Sequence, residues 1–179
     1  MNNIFGTSFL AGKTEVGFTL NRYLKPKDKI CDMGPGSGSY RNLLGSSYEW
    51  TGVEIWHPTI EFLANKYDHL YEMDVRDFTW PEDYKLVIFG DILEHLPLED
   101  AQKLVKRAKH HAQMIMIAVP YNSEQDMEYG NPAERHIQTD LNPLNFIERY
   151  PGFVPIFTGI KDGIWRYEYW LWLKDFLDE

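Results

Sequence analysis

Short apolar runs that alternate with helical patterns are the feature that most constrains the fold of this chain. After residue 28, five β-type runs are separated by segments in which apolar residues have helical spacing. These runs are Lys29 to Met33, Trp50 to Ile55, His69 to Met73, Leu86 to Phe89 and Met114 to Val119. Strands separated by helices pair in parallel, because each helix returns the chain to the start of the next strand. The sequence therefore predicts an α/β fold.

Two further β-rich runs, residues 153–160 and 164–173, indicate how the sheet ends. Asp162-Gly163 lies between them and is a hairpin signal, so these runs are predicted to pair antiparallel. In the second run Tyr167, Tyr169 and Leu171 share one face, yet Trp170 and Trp172 make the opposite face apolar too. A strand that is apolar on both faces belongs inside a sheet. We expect seven strands, mostly parallel, with an antiparallel C-terminal strand and helices on both faces.

Length and charge limit the class of protein. With 179 residues, the chain predicts one domain, in which residues 1–27 form an N-terminal cap or lid. The formal charge of −9 repels phosphate backbones, so nucleic acid is not an expected partner. No stretch has the length and apolarity of a membrane span or a signal peptide. We expect a cytoplasmic protein, and the sequence does not indicate its oligomeric state.

A glycine-rich turn follows the first strand. Gly34, Gly36 and Gly38 permit positive φ angles and let backbone N–H groups approach a ligand closely. A dinucleotide turn has a glycine five residues after its first, where this chain has Ser39. Asp32, two residues before the turn, suits an amino acid's ammonium group and would repel a phosphate. The spacing therefore argues against a nicotinamide cofactor.

Acidic residues lie at the ends of the next three strands. Glu54 is placed to accept hydrogen bonds from both hydroxyls of a ribose, and Ile55 to pack on its base. Asp74 would accept from an adenine amino group while the Val75 N–H donates to the ring, and Asp91 ends the fourth strand. Each carboxylate, taken alone, is equally consistent with a helix N-cap or a solvated turn. Their occurrence at successive strand ends favours a nucleoside site.

These motifs together resemble those of class I S-adenosylmethionine (SAM)-dependent methyltransferases. The resemblance rests on Asp32-x-Gly34-x-Gly36-x-Gly38, Glu54, Asp74 and the run Gly90-Asp-Ile-Leu-Glu-His-Leu96. The part from Leu93 to Leu96 is similar to the branch that acts on small molecules, as is the strand ending Ala118-Val119-Pro120. The resemblance implies a Rossmann-like methyltransferase fold, SAM as cofactor and methyl transfer to oxygen or nitrogen of a sugar, lipid or metabolite. A SAM-binding sensor or partner subunit without catalysis is the alternative.

Two histidines are the candidate catalytic residues. Imidazole transfers protons near neutral pH, and His95 follows the fourth strand while His136 lies in a later loop. A second hypothesis is that Asp91, Glu94, His95 and His136 bind a divalent metal ion, which would acidify an acceptor hydroxyl. His95 is also consistent with a helix-start residue and His136 with an exposed loop residue. Residues 121–150 are expected to form a substrate-side insertion that shapes the acceptor pocket.

One further motif is set aside. Gly12-Lys13-Thr14 ends a segment similar to a phosphate-binding P-loop, but Gly6 and Gly12 enclose five residues where that loop has four. No apolar strand precedes it. The sequence therefore assigns this lysine no role.

Overall fold

The structure, a computed structural model, describes residues 12–128, 130–161 and 165–174, which form an α/β sandwich around one seven-stranded sheet. The strands are β1 Lys29–Met33, β2 Glu49–Glu54, β3 His69–Glu72, β4 Tyr84–Gly90, β5 Ala112–Pro120, β6 Val154–Lys161 and β7 Trp165–Leu173. Their order in the sheet is β3-β2-β1-β4-β5-β7-β6. The first five are parallel, and β7 is antiparallel to both its neighbours. This confirms the predicted mostly parallel sheet with an antiparallel C-terminal strand.

Within the described residues, five α-helices cover the two faces of this sheet, as the alternation predicts. They are α1 Lys13–Asn21, α2 Ser39–Leu44, α3 His57–Leu63, α4 Leu98–His111 and α5 Pro143–Arg149. Successive residues of a strand point to opposite faces, so the sheet separates two buried apolar cores. In β1, for example, Ile30 packs in one core, and Cys31 and Met33 pack in the other.

The inner position of β7 follows from its two apolar faces. Tyr169 and Leu171 join the core on one side of the sheet. Trp170 joins the other, where its ring stacks on Phe146 of α5 with centroids 4.5 Å apart. Within the segment 121–150, predicted as a substrate-side insertion, α5 thus packs on this core through Phe146. The predicted Asp162-Gly163 turn lies outside the described residues.

The topology places the end of β1 beside the point where the strand order reverses. The chain runs from β1 outward to β3, then returns so that β4 pairs with the other side of β1. Ligands of open α/β sheets bind at this reversal, beyond the carboxyl ends of the strands. The predicted cap, residues 1–27, is described only from residue 12, where α1 packs beside α2. Among the described helices, none has the length and apolar character needed to cross a membrane.

Candidate active site

A cavity of about 640 Å³ opens at the carboxyl ends of the parallel strands. Its volume lies in the usual range for sites that bury a small ligand. Nine of the eleven residues predicted to bind cofactor or take part in catalysis line it, namely Gly34, Gly36, Glu54, Ile55, Asp74, Val75, Asp91, His95 and His136. The strand-end acids and the glycine turn therefore share one hollow.

The glycine turn has the backbone conformation that its residues predict. Gly34, Gly36 and Gly38 have φ angles of 67°, 51° and 73°, in the left-handed region that side chains disfavour. A Cβ atom built on Gly34 would lie 1.9 Å from the Ile92 side chain, so glycine is also required by the close packing there. Gly38 precedes the first turn of α2 and does not line the cavity.

Glu54 joins the turn to the end of β2. Its Oε2 accepts a hydrogen bond from the Gly36 N–H at 3.2 Å, and its Oε1 accepts from the Trp56 N–H at 2.9 Å. Burial raises the pKa of this carboxyl, and the backbone donors oppose that rise. The side chain is thus held in place at the cavity wall, beside the half-exposed Ile55.

Asp74 is already engaged within its own loop. It caps the short helical turn Val75–Asp77 by accepting from the Arg76 N–H at 2.8 Å, and it pairs with the Arg76 guanidinium at 2.6 Å. This is the helix N-cap that the sequence leaves open as an alternative. The carboxylate nevertheless lines the cavity with Val75, so an adenine amino group there would share it with Arg76.

Asp32 lies beneath the turn and does not line the cavity. It is 1% exposed, and its Oδ2 accepts from the Tyr67 hydroxyl at 2.7 Å. Burial raises its pKa to about 7, against the opposing effects of the Tyr67 hydrogen bond and the Lys13 charge. Direct contact between Asp32 and a ligand therefore stays a prediction that would require the turn to open.

Asp91 is held in a strained conformation immediately after β4. Its φ of 57° is unusual for a residue with a side chain, and its N–H donates to the Ala118 carbonyl at 3.0 Å. The Tyr167 hydroxyl of β7 donates to Oδ1 at 2.5 Å, whereas Oδ2 is buried with no hydrogen-bond partner among the described residues. Buried polar atoms are normally satisfied, so a water molecule or a ligand group that donates to Oδ2 would complete its hydrogen bonding.

The two candidate catalytic histidines lie together with Glu94. A ligand-type atom of each of Glu94, His95 and His136 lies within 4.8 Å of the others. The Nδ1 atoms of His95 and His136 lie 3.2 Å and 2.9 Å from the backbone carbonyls of Arg135 and Ser123. A carbonyl oxygen only accepts, so Nδ1 carries the proton in each neutral ring and Nε2 is an acceptor.

The acidic and basic groups of this cluster have perturbed pKa values. Burial, and next the neighbouring His136, lower the pKa of His95 to about 4, so the ring is neutral at ordinary pH. Burial and Asp91 raise the pKa of Glu94, whose two oxygens have no hydrogen-bond partner among the described residues. Burial raises the pKa of Glu134 to about 7, and nearby carboxylates, Glu54 first among them, add to this rise. Such shifts are typical of functional sites.

Backbone hydrogen bonds bring His136 to His95. The Glu94 carbonyl accepts from the N–H groups of Ile137 and Gln138 at 2.7 and 2.9 Å. The Gln138 side chain donates to the Leu93 and Leu96 carbonyls at 2.7 and 3.1 Å. These hydrogen bonds attach the loop that contains His136 to the turn after β4. No side-chain pattern in the sequence reports such bonds, and the cavity-lining Tyr167 and Glu134 were likewise missed.

Two residues of the segment 121–150, which is expected to shape the acceptor pocket, do not line the cavity. The Tyr121 hydroxyl accepts from the Trp170 indole N–H at 2.8 Å inside the core. Arg135 forms an ion pair with Asp126 at 2.8 Å. Tyr129, in the same segment, lies outside the described residues.

Comparison with known proteins supports the fold. No known protein family matches the sequence, and no curated protein matches it either. Among solved structures, magnesium protoporphyrin IX methyltransferase from Synechocystis, crystallised with bound SAM, is 15% identical, with a TM-score of 0.62 over 94% of this chain and 88% of its own. A SAM-dependent methyltransferase from Clostridium acetobutylicum is 10% identical, with a TM-score of 0.67 over 91% of each chain.

A third similar structure is TehB from Haemophilus influenzae. It is 17% identical, with a TM-score of 0.67 over 89% of this chain and 62% of its own. Identities this low relate the proteins by fold. The chain thus has the Rossmann-like fold of SAM-dependent methyltransferases, as the sequence motifs predict.

Proposed function

We propose that this protein transfers the methyl group of SAM to an oxygen or nitrogen atom of a small molecule. The observation that carries the proposal is the 3.2 Å hydrogen bond from the Gly36 N–H of the glycine turn to Glu54 Oε2. Both residues line a cavity that Asp74 and Val75 also line. Ribose hydroxyls need an acidic acceptor, and a methionine tail needs backbone that approaches closely. This cavity offers both the acidic acceptor and the glycine backbone. The fold similarity to proteins crystallised with SAM supports this assignment.

The cluster of Glu94, His95 and His136 in the cavity favours an enzyme over a module that only binds the cofactor. A sensor would need the cofactor residues alone, whereas here Glu94, His95 and His136 converge on the same cavity. In the transfer, an acceptor lone pair attacks the methyl carbon, and the sulfur–carbon bond breaks with its electron pair retained by sulfur. A hydroxyl acceptor loses its proton as the new bond forms. We assign that proton to Nε2 of His95 or His136.

The same three side chains fit a divalent metal ion. Two imidazoles with backbone-bonded Nδ1 atoms and a carboxyl group without described partners are a donor set that such ions prefer. Glu94, His95 and His136 would hold the ion, and when bound it would lower the pKa of an acceptor hydroxyl. Asp91, which the sequence also suggests as a ligand, instead accepts from Tyr167.

The charge of the cavity indicates what kind of acceptor it takes. Glu124, Glu128 and Glu134 line the acceptor side, while the lining Arg76 is paired with Asp74. A wall of carboxylates repels an acceptor that carries phosphate or carboxylate groups. We infer that the acceptor is uncharged or cationic.

Calorimetry with SAM, S-adenosylhomocysteine (SAH) and NAD tests the cofactor assignment. We expect SAM and SAH to bind and NAD not to bind. Loss of the Glu54 carboxylate in Glu54→Ala should weaken SAM binding roughly 10–100-fold, since hydrogen bonds to a charged group contribute about 1.5–3 kcal/mol. Glu61→Ala, at an exposed carboxylate of α3, is the matched control. Unchanged affinity in Glu54→Ala would contradict the site.

A turnover assay tests catalysis separately. Incubation with SAM and a library of uncharged and amine-bearing acceptors should yield SAH together with a methylated product. Tight SAM binding without SAH formation across a broad library would favour the sensor over the enzyme.

A further inference from the structure

The carboxyl group of Glu94 is buried in the cavity lining without a hydrogen-bond donor. Glu94 is 1% exposed, and neither of its side-chain oxygens has a hydrogen-bond partner among the described residues. Burying a carboxyl group is costly unless donors or a cation satisfy it. A ligand group that donates hydrogen bonds to Glu94 would remove that cost.

The groups around Glu94 are hydrogen-bond acceptors as well. Nδ1 of His95 and Nδ1 of His136 each face a backbone carbonyl, so Nε2 is the accepting nitrogen of each ring. Glu134, two residues before His136, adds a second carboxyl group to the cavity lining. The Asn131 side chain already donates to Glu134 Oε1, at 3.4 Å. A ligand that fits this cluster of acceptors must therefore supply donors.

The spacing of these acceptors matches a tetrahedral nitrogen atom. His95 Nε2 lies 4.0 Å from Glu94 Oε1, and ligand-type atoms of Glu94, His95 and His136 all lie within 4.8 Å of one another. Two acceptors that bind one ammonium nitrogen are about 4.6 Å apart, whereas two ligands of one divalent ion are about 3–3.5 Å apart. An ammonium group thus fits this spacing as it stands, whereas a metal ion would draw the side chains closer together.

Apolar side chains accompany the cluster. Leu96 and Pro97 follow His95, Ile137 follows His136, and all three line the cavity. Ile137 is 54% exposed, so its side chain is open to contact from a ligand. Ligand sites commonly combine a few polar groups that fix orientation with apolar walls that contact the rest of the ligand. The surroundings of the acceptor cluster therefore suit an apolar group attached to the nitrogen.

We propose that the methyl acceptor is a primary amine with an apolar substituent, bound as an ammonium group by Glu94 and by Nε2 of His95 and His136. This inference rests on the proposed function, because it names the acceptor of the same transfer. The ammonium group gives one proton to Nε2 of His136, and the lone pair left on nitrogen attacks the methyl carbon of SAM. The sulfur–carbon bond breaks with its electron pair on sulfur. The product is a methylammonium ion, which keeps two N–H groups.

The experiment compares three related ligands in metal-free protein saturated with SAH. Benzylamine has a charge and N–H donors, benzyl alcohol has one O–H donor and no charge, and benzyltrimethylammonium has the charge without a donor. Calorimetric titration of the wild type should show benzylamine binding about 10–100-fold more tightly than either of the others. Added Mn²⁺ should weaken the binding of benzylamine, because both cations need Glu94.

Variants and turnover test the assignment further. Glu94→Gln should lower the affinity for benzylamine by the same factor and leave the affinities for benzyl alcohol and SAH unchanged. Glu61→Gln, at an exposed carboxylate of α3, is the matched control. Incubation of the wild type with SAM and benzylamine should yield SAH and N-methylbenzylamine, which mass spectrometry identifies.

The opposite results contradict the inference. It is overturned if benzylamine does not bind the wild type, or binds no more tightly than benzyl alcohol or benzyltrimethylammonium. SAH binding to the same protein would then leave the proposed function intact, whereas absence of SAH binding would overturn both. An equal loss of affinity for benzylamine and benzyl alcohol in Glu94→Gln would overturn the role of Glu94. If that variant does not fold, the comparison of ligands in the wild type decides.

Discussion

The imidazole rings of His95 and His136 lie edge to face, with their centroids 4.8 Å apart and their planes at 71°. His95 follows β4. His136 lies in a later loop, whose backbone N–H groups donate to the carbonyl of Glu94, the residue before His95. Both rings direct Nδ1 to a carbonyl oxygen, so the nitrogen left on each is a lone-pair donor. Their common neighbour, Glu94, is an acid buried without a described hydrogen-bond partner.

This arrangement predicts one divalent metal site per chain. Titration of Mn²⁺ or Zn²⁺ into metal-free protein should give a single site by calorimetry. Glu94→Gln and His136→Ala should each weaken it about 10-fold or more, because each removes one ligand atom. His57→Ala, at a largely exposed histidine, should leave it unchanged.

Removal of metal also separates the two roles assigned to the histidines. If the ion assists the transfer, exhaustive chelation and metal-free dialysis should reduce SAH formation, and added metal should restore it. Full turnover without metal would leave the histidines as proton acceptors and end the metal hypothesis.

The raised pKa of Asp32 predicts an unusual pH dependence of stability. The folded-state pKa of about 7 exceeds the usual 3.8, so the contribution of this group is fully present below pH 3.8 and is lost as the pH rises through about 7. Asp32→Asn accepts the Tyr67 hydrogen bond without a charge. Its stability relative to the wild type should therefore grow from pH 4 to pH 7, by roughly 1–3 kcal/mol, and then level off.

Denaturant unfolding at several pH values measures this difference. Asp77→Asn, at an exposed carboxyl, provides the control and should show no comparable trend. A constant difference between Asp32→Asn and the wild type across this range would contradict the ionisation of a buried Asp32.

The packing of Gly34 predicts a large cost for adding one methyl group. Gly34→Ala places a Cβ in the left-handed region, which costs about 1–2 kcal/mol, and against Ile92, which adds roughly 1–3 kcal/mol. Gly130→Ala has a similar φ of 76° but meets no described atom within 4 Å, so it reports the conformational cost alone. Thermal unfolding should show a clearly larger loss for Gly34→Ala. Equal losses would mean that Ile92 moves aside freely.

The hydrogen bond from Tyr167 to Asp91 predicts a stability effect that a surface tyrosine lacks. Tyr167→Phe removes a donor from a partly buried carboxylate and should cost about 1–3 kcal/mol of unfolding free energy. Tyr48→Phe removes an exposed hydroxyl that donates to Asn21 at 2.8 Å and should cost less than about 1 kcal/mol. Chemical denaturation compares the two variants. Similar costs would show that Asp91 finds another donor.

Much of the fold was predictable because its signals are local. Alternating apolar residues identify each strand, and strand ends in a parallel sheet share one edge, so Glu54 and Asp91 could be placed near the glycine turn in advance. The pairing of Asp74 with Arg76 was open because an N-cap and a ligand acceptor require the same carboxylate. Local pattern distinguishes poorly between these roles.

The remaining site residues depend on contacts between distant segments. Lys13 reaches Ser39 across 26 positions. His136 lies beside His95 because hydrogen bonds, among them those to the Glu94 carbonyl, attach the loop around His136 to the turn after β4. Neither contact produces a periodic pattern in the sequence, because each depends on which distant segments the fold brings together. Asp32, by contrast, has the residue type that its position predicts, but Tyr67 occupies its Oδ2.

The insertion of β7 between β5 and β6 has a consequence for synthesis of the chain. Until residues 165–173 have left the ribosome, β5 has an apolar edge with no strand paired to it. Asp91 also lacks its hydrogen bond from the Tyr167 hydroxyl during this time. Such an edge invites pairing with other chains, so nascent protein passes through an aggregation-prone stage. Pairing of β7 also brings Tyr167 to the cavity, so that part of the cavity wall is missing until β7 has joined the sheet.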